Sequence, residues 1–425
     1  MSTRGHLDDC VHCGFCLPAC PTWLNWSEEM DSPRGRIDLL RGVRDGKVML
    51  DDSVALHLDR CLGCMACMTA CPSGVRYDLV IEEGRALRDR QVPRGLLDRL
   101  HRAALFSLFP YPRRLRVAAA LLFLYSRSGL QWLLRTSGLL RLVSTRLATL
   151  DALAPRIGLA SLVSRLPGRW LAAGERRARV GLVTGCVQGV FFPNVNAATA
   201  RVLVAEGCEV VVPPGQGCCG ALSTHAGRLD EARRLVRRLI ERFETVEVDL
   251  VVINSAGCGS HLKDCERLFA GDPFQPRAAA FSRRVRDVNE LVASLPPRAV
   301  RHPMPGRVAY HSPCHLGHAQ RLTAPPRALL RAIPGLELVE IADGDQCCGS
   351  AGIYNLVQPA SADQVGARKA AAVQAAGAGR LASANPGCTL HIQRQLRQRG
   401  ATIQAAQPIE FLDASIRGRT DPGAE

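Results

Sequence analysis

Residues 10–21 read CVHCGFCLPACP and residues 61–72 read CLGCMACMTACP. Both follow C-x2-C-x2-C-x3-C-P, with Cys10, Cys13, Cys16 and Cys20 ahead of Pro21, and Cys61, Cys64, Cys67 and Cys71 ahead of Pro72. The spacing is that of cysteine ligands to [4Fe-4S] clusters. Three thiolates on a short loop converge on three corners of one cube, and the fourth, carried away by the turn before proline, reaches the other cube. Cys10, Cys13, Cys16 and Cys71 are therefore expected to hold a first cluster, and Cys61, Cys64, Cys67 and Cys20 a second. Zinc also uses C-x2-C pairs, but four ligands per ion leave the third C-x2 step and the prolines unexplained.

Between the runs, SPRGRIDLLRGVRDGK and SVALHLDR carry apolar residues at helical spacing. Ser32 before Pro33 reads as an N-cap followed by the first helical residue. The expectation for residues 1–84 is a helical dicluster module, like that of succinate-dehydrogenase-type iron–sulfur subunits, rather than a small βαβ ferredoxin. Two cubes side by side form a relay, which needs an electron donor at one end and an acceptor at the other.

The other ten cysteines lie in the C-terminal half, and eight of them repeat. Cys186, Cys218, Cys219, Cys258 and His261 are matched by Cys314, Cys347, Cys348, Cys388 and His391, at offsets of 128 to 130 residues. An internal duplication accounts for this. Each unit opens on an apolar run (RVGLVTGC, RVAYHSPC) and closes on another (DLVVINSAGC, GRLASANPGC). In the first unit NAATARVLVAEG reads as a helix, CEVVVPP as a strand and DEARRLVRRLIERF as a second helix. Alternating strands and helices imply two α/β units with mostly parallel sheets, over residues 179–298 and 299–425, with cysteines beyond the strand C-termini where such sheets place ligands. Cys208 and Cys265 do not repeat and read as buried hydrophobes.

Two units of the form C…CCG…C-x-x-ligand resemble the cysteine-rich CCG domain shared by heterodisulfide reductases, anaerobic glycerol-3-phosphate dehydrogenase and the glycolate oxidase iron–sulfur subunit. CVHCGFCLPACPTW, SPRGRI, CPSGVRY, PNVNAATARVL and QCCGSAGIYNL are most similar to the last of these families, over most of residues 8–415. The resemblance implies an electron-transfer subunit that carries two [4Fe-4S] clusters and additional iron–sulfur centres in the CCG units. It would pass electrons from FAD-binding subunits that oxidise glycolate to glyoxylate toward membrane quinone. D-lactate, glycerol 3-phosphate or heterodisulfide systems use the same modules, and a redox-sensing scaffold is the non-enzymatic alternative. Heterodisulfide reductase units end in C-x-x-C and hold a noncubane cluster, whereas here the last position is His261 or His391. Each histidine is either an extra ligand, as in Rieske centres, or a local hydrogen-bonding group. His225, His311, His315 and His318 sit near the same loops, where they can tune a cluster by hydrogen bonding.

No G-x-G-x-x-G follows a strand and no Walker motif or C-x-x-C-H is present, so FAD, NAD, ATP and haem are not expected on this chain. Removing two electrons from a 2-hydroxy acid is flavin chemistry, which puts the substrate on a separate flavoprotein subunit.

The charge is concentrated. The 425 residues carry +15 formally, and residues 85–180 hold 19 arginines against Asp89, Asp98, Asp151 and Glu175, a balance that accounts for all of it. Residues 85–178 read as an Arg-rich helical linker. Its longest uncharged apolar stretch, 117–125, is far shorter than the roughly 18 residues that cross a bilayer. Solvated arginines on a bridging helix, or a peripheral membrane contact through Phe123, Tyr125 and Trp132, explain it better than nucleic acid, for which no recognition motif is present. Without a visible signal peptide the expected location is cytoplasmic, peripheral on the inner face of the cell membrane. The fold class is thus multidomain α+β, with a dicluster module, a basic helical linker and two CCG units.

Overall fold

The computed structural model describes residues 4–155, 157–158, 162 and 165–423. The N-terminal module is helical, as expected. Ser32 caps the helix Pro33–Arg44 by accepting from the Gly35 amide at 3.0 Å, with Pro33 in the first turn. Gly35 has no alternative, because a Cβ there would lie 2.0 Å from the Glu29 carbonyl oxygen. Helices Asp52–Arg60 and Tyr77–Gln91 complete the bundle around Ile37, Leu40, Val54, Leu58, Val80 and Ile81.

One buried polar node ties the cluster loops to this bundle. Arg36 and Asp31 are both fully buried and paired at 3.3 Å. The Asp31 carboxylate also meets Arg60 at 2.8 Å and His57 at 2.9 Å. Arg36 in turn donates to the His57 carbonyl at 2.6 Å and to Thr22 Oγ1 at 3.3 Å, and Thr22 Oγ1 lies 3.1 Å from Cys20 Sγ.

Each CCG unit is built on a parallel sheet. In the first, β1 (Arg169–Trp170), β2 (Ala178–Val183), β3 (Cys208–Val211), β4 (Leu250–Ile253) and β5 (Val285–Asp287) lie in the order β1-β3-β2-β4-β5, with only β1 antiparallel. In the second, β6 (Gly306–His311), β7 (Leu336–Glu340), β8 (Arg380–Ser383) and β9 (Gln404–Ala406) lie in the order β7-β6-β8-β9, all parallel. The two orders are the same once β1 is set aside, so the duplication read from the cysteines is a duplication of fold. Helices Pro193–Ala205 and Leu229–Phe243 and strand β3 fall where the sequence put them. On the second helix Ala232, Leu235, Val236, Leu239, Ile240 and Phe243 form the buried stripe. Cys208 opens β3 inside the core, and Cys265 is buried against Ser282 Oγ at 3.3 Å.

The units pack reciprocally. Pro193–Ala205 of the first contacts Pro408–Ile416 of the second, and Val288–Ser294 of the first contacts Ala324–Arg331 of the second. Val180, Val195, Leu203 and Val288 merge with Val308, Leu329, Ile409 and Phe411 into one core. The matching residues Ser255 and Asn385 meet at 3.3 Å, and the Ala256 amide donates to the Ala384 carbonyl. The loops that follow β4 and β8 are therefore brought face to face.

Two sequence boundaries need correction. Residue 84 falls inside the continuous helix Tyr77–Gln91, so the dicluster module extends to its end. The 85–178 segment is not wholly helical, since β1 pairs with β3 and belongs to the first sheet. Among the described residues, five helices run from Leu96–Leu108 to Thr145–Leu153, as expected for that part of the linker. Leu105, Phe106 and Leu153 pack on Ile353, Leu356 and Val357, while Leu115 and Ala119 pack on Val190.

Removing one member of a buried ion pair leaves the other uncompensated, at a cost of about 3–5 kcal/mol. Asp31→Ala should therefore lower the unfolding midpoint of the anaerobic full chain in guanidinium and release iron. A midpoint equal to wild type would show that this node is not structural.

Candidate iron–sulfur sites

The first expected ligand set converges. Cys10, Cys13, Cys16 and Cys71 line one small pocket, walled by Gly14, Phe15, Ile37 and Tyr77, with Cys67 on its inner side. Cys13 is exposed and so are Val11 and Phe15, which puts this site at the surface. Burial pushes the Cys16 thiol up to about 11.

The second set lies behind it. Cys20, Cys61, Cys64 and Cys67 are all buried. The Gly63 amide donates to Cys61 Sγ at 3.3 Å and the Tyr77 hydroxyl reaches the same sulfur at 3.7 Å. Burial, then the neighbouring Cys64, Cys61 and Cys20, drive the Cys67 thiol well up. Four sulfurs in a dry interior need cations, and Arg36 supplies one beside Cys61 and Cys20.

The eight repeated cysteines share a single cavity. Cys186, Cys218, Cys219 and Cys258 of the first unit and Cys314, Cys347, Cys348 and Cys388 of the second all line a space of about 640 Å³. The linker adds an apolar part of its wall, including Leu105, Leu115, Leu122, Leu150 and Leu153, beside polar residues of the other modules such as Asp59, His225 and His315. The cause is the reciprocal packing, which aims the C-terminal edges of both sheets at one another, so that their ligand-bearing loops meet there. Cys258 and Cys388 lie in the first turns of Ala256–Lys263 and Pro386–Gln398, beside the positive ends of those helices.

Within the first unit Cys186 and Cys218 sulfurs are 3.5 Å apart. Hydrogen bonds from Cys186 and Cys219 pull the Cys218 thiol well down, while that same sulfur neighbour and burial push Cys186 up. None of the 18 cysteines is in a disulfide. Clustered, buried, unoxidised sulfur is the donor chemistry of iron–sulfur centres, and the chain fits such groups on that ground.

The third residue of each triplet has a defined task. Gly220 and Gly349 take positive φ, +87° and +90°. A Cβ on Gly349 would lie 2.7 Å from the Ala362 carbonyl oxygen and 3.1 Å from His391 Nε2, and one on Gly220 would lie 3.4 Å from His261 Nε2. The two histidines thus sit in the same place, packed behind the CCG turn. His391 Nε2 is hydrogen-bonded to the Ala362 carbonyl at 3.1 Å, which commits that nitrogen, whereas both nitrogens of His261 lack a hydrogen-bond partner. Burial first, then nearby charge, lowers His261 to about 3; burial lowers His391 to about 4.

The other histidines divide. His225 and His315 rings lie 4.9 Å apart on the cavity wall, and His225 approaches the buried Glu82 at 3.5 Å. Burial would raise the Glu82 carboxyl, but His225 and Arg267 hold it down to about 2. His318 bridges Thr69 Oγ1 and the Asp345 carbonyl, joining the dicluster module to the second unit. His311 lies with Cys348 and Cys388, their three ligand atoms within 4.8 Å of one another.

One contact was not legible in the motifs. Cys64 of the second N-terminal set touches Cys347 of the second CCG unit, and that neighbour, together with burial, drives the Cys64 thiol well up. Leu62, Cys64 and Ala66 pack with Cys314, Cys347 and Tyr354, and Cys61 itself lines the shared cavity. Sulfur sites therefore run without a break from exposed Cys13 to the cavity.

Comparison with known proteins agrees with this architecture. Family models match a 4Fe-4S dicluster domain at residues 6–75, the glycolate oxidase iron–sulfur subunit linker region at 97–154, and the cysteine-rich CCG domain at 180–263 and 308–393. A probable glycolate oxidase iron–sulfur subunit of Bacillus subtilis is 38% identical over 96% of this chain and 94% of its own length. The glycolate oxidase iron–sulfur subunit of Escherichia coli is 31% identical over 90% of this chain and 89% of its own. Lactate utilization protein A of Shouchella clausii is 30% identical over 55% of this chain and 98% of its own.

Two outcomes are expected. Gly349→Ala, forced into left-handed backbone against a carbonyl, should cost about 1–3 kcal/mol and deplete C-terminal iron; wild-type iron and stability would refute the role given to the turn. Anaerobically purified protein should hold more iron and acid-labile sulfide than two cubes require, and an amount accounting only for the N-terminal cubes would remove the CCG centres.

Proposed function

From the premise that this chain belongs to the glycolate oxidase iron–sulfur subunit family, we propose that it is the electron wire of a complex whose flavoprotein subunits oxidise glycolate to glyoxylate. Cys10, Cys13, Cys16 and Cys71 hold the entry cluster, and Cys61, Cys64, Cys67 and Cys20 the second. Cys186, Cys218, Cys219 and Cys258, and Cys314, Cys347, Cys348 and Cys388, hold the centres of the two CCG units. When bound, these groups supply one-electron steps between a two-electron flavin donor and the acceptor. The chain's own part is to exclude water, to supply positive charge at Arg36 and to set the order of the sites. The observation that carries this reading is the unbroken sulfur path, with its exposed start and its Cys64–Cys347 junction. A redox sensor needs one accessible cluster and not a buried series.

The acceptor is membrane quinone, and the linker is the membrane contact. Supporting this is a helix apolar on two faces. Pro112–Arg127 turns Leu115, Ala119 and Leu122 inward, yet leaves Val117, Leu121 and Leu124 exposed. Leu96, Leu97, Leu100, Trp132, Leu133 and Leu142 of the same linker are exposed too, as are Arg99, Arg113, Arg116 and Arg127. Such surface density of large apolar groups beside arginines suits an anionic lipid interface. No single described helix is long and apolar enough to cross a membrane, and Pro112–Arg127 with Leu130–Thr136 is so only as a pair bent by 71°, which supports a peripheral contact over a straight span. The apolar wall of the cysteine cavity belongs to these same helices, which gives a lipid-soluble acceptor a route to the CCG centres from the cytoplasmic face.

Two experiments test this. The co-purified complex should reduce a dye with glycolate in preference to D-lactate or glycerol 3-phosphate. Oxidation of another donor with no response to glycolate would overturn the substrate. The complex should co-sediment with anionic liposomes, weaken at raised salt and lose most binding in Trp132→Glu/Leu133→Glu; absence of lipid binding by the wild-type complex would overturn the membrane contact.

A further inference from the structure

The duplication lets each residue of one repeat be set against its counterpart, and the two metal-binding ends are unequal. Strands β2 and β6 correspond at an offset of 128 residues, which matches Val183 with His311 as their last residues. Helices Leu229–Phe243 and Pro359–Ala375 correspond at an offset of 130, which matches Leu239 with Lys369. All four side chains are buried. At both positions the first repeat has an aliphatic residue and the second a nitrogen base.

Both bases face the second unit's cysteines. The Gly344 backbone is the one hydrogen-bonding neighbour recorded for the His311 ring among the described residues, and one ring nitrogen forms a trio with the sulfurs of Cys348 and Cys388, all within 4.8 Å of one another. No equivalent nitrogen-containing trio occurs among the described residues of the first repeat. The Lys369 ammonium donates to the Asp343 carbonyl and lies near Cys347 and Cys348. It is one of only three lysines in the chain. The Gly344 backbone can satisfy the ring N–H only, so the lone pair of the other nitrogen is buried without a donor, which is costly unless something takes it. His391 does not compete for that role through Nε2, which is held by the Ala362 carbonyl.

We propose that His311 is a nitrogen ligand of the second repeat's iron–sulfur centre, beside Cys348 and Cys388, while the first repeat's centre is held by thiolates alone. Neutral imidazole brings less negative charge to iron than thiolate does, and the Lys369 ammonium adds positive charge alongside. Both raise the reduction potential, as histidine does in Rieske centres. The second centre would then be the better one-electron acceptor: one of its ferric ions would become ferrous on taking the electron that the adjacent Cys64-bearing cluster loses on oxidation. Placing the higher potential where Cys64 meets Cys347 draws electrons off the N-terminal cubes and holds them at the cavity.

This rests on the reading of the CCG units as iron–sulfur sites, and the two fail differently. The test is pulsed EPR on redox-poised full-length holoprotein labelled with 15N-histidine. A strongly coupled histidine nitrogen is expected in the C-terminal signal and in neither N-terminal cube, and it should vanish in His311→Val, the residue the first repeat carries. Lys369→Leu should keep the coupling and lower that centre's midpoint potential. If His311→Val loses its C-terminal iron, the wild-type spectrum decides alone. Iron in the CCG units with no histidine coupling in wild type, or coupling that survives His311→Val, overturns the ligand assignment only. Absence of any C-terminal iron in wild type overturns it together with the site reading beneath it.

Discussion

Sulfur buried away from water is the constraint on which this molecule depends. A dry thiol resists ionisation, and Cys64, Cys67, Cys186, Cys219, Cys314 and Cys348 are all driven upward by burial and by each other. Sixteen clustered cysteines, eleven of them buried, can be held together only if positive charge accompanies them. Iron provides most of it. The protein adds Arg36 beside the second N-terminal set, helix N-termini at Cys258 and Cys388, and Lys369 beside Cys347 and Cys348.

The architecture follows from bringing these sites close. Duplicated sheets packed reciprocally place two ligand-bearing edges against one cavity. The dicluster module docks so that Cys64 reaches Cys347, and His318 and Glu82 fasten that docking to the second and first units. The linker closes the cavity with one face of Pro112–Arg127 and presents the other outward. A segment that looked like a charged connector in composition is therefore also a wall of the redox chamber.

Much of this was legible in sequence because metal-ligand spacing is a local property. The two C-x2-C-x2-C-x3-C-P runs convey which cysteines are expected to gather, and the 128–130 residue offset conveys the repeat, to which the structure adds the shared strand order. Ser32 and Pro33 marked a helix start by local chemistry. What local patterns could not carry was long-range: the Arg36–Asp31 node, the merging of eight cysteines into one cavity and the Cys64–Cys347 contact all join residues whose pairing depends on docking. The boundary at residue 84 failed because charge composition changes inside a helix that continues unbroken. The inequality of the repeats was available all along in the offset, since Val183 and His311 occupy the same register, but its meaning needed the burial and proximity of His311.

The Cys64–Cys347 junction is the central claim, and freeze-quench EPR of the assembled complex after mixing with glycolate tests it most directly. The expected result is that N-terminal cube signals rise first and the C-terminal signal follows, with Cys64→Ala leaving C-terminal iron oxidised while the first cube is still reduced. C-terminal reduction at the wild-type rate in that variant would contradict the path.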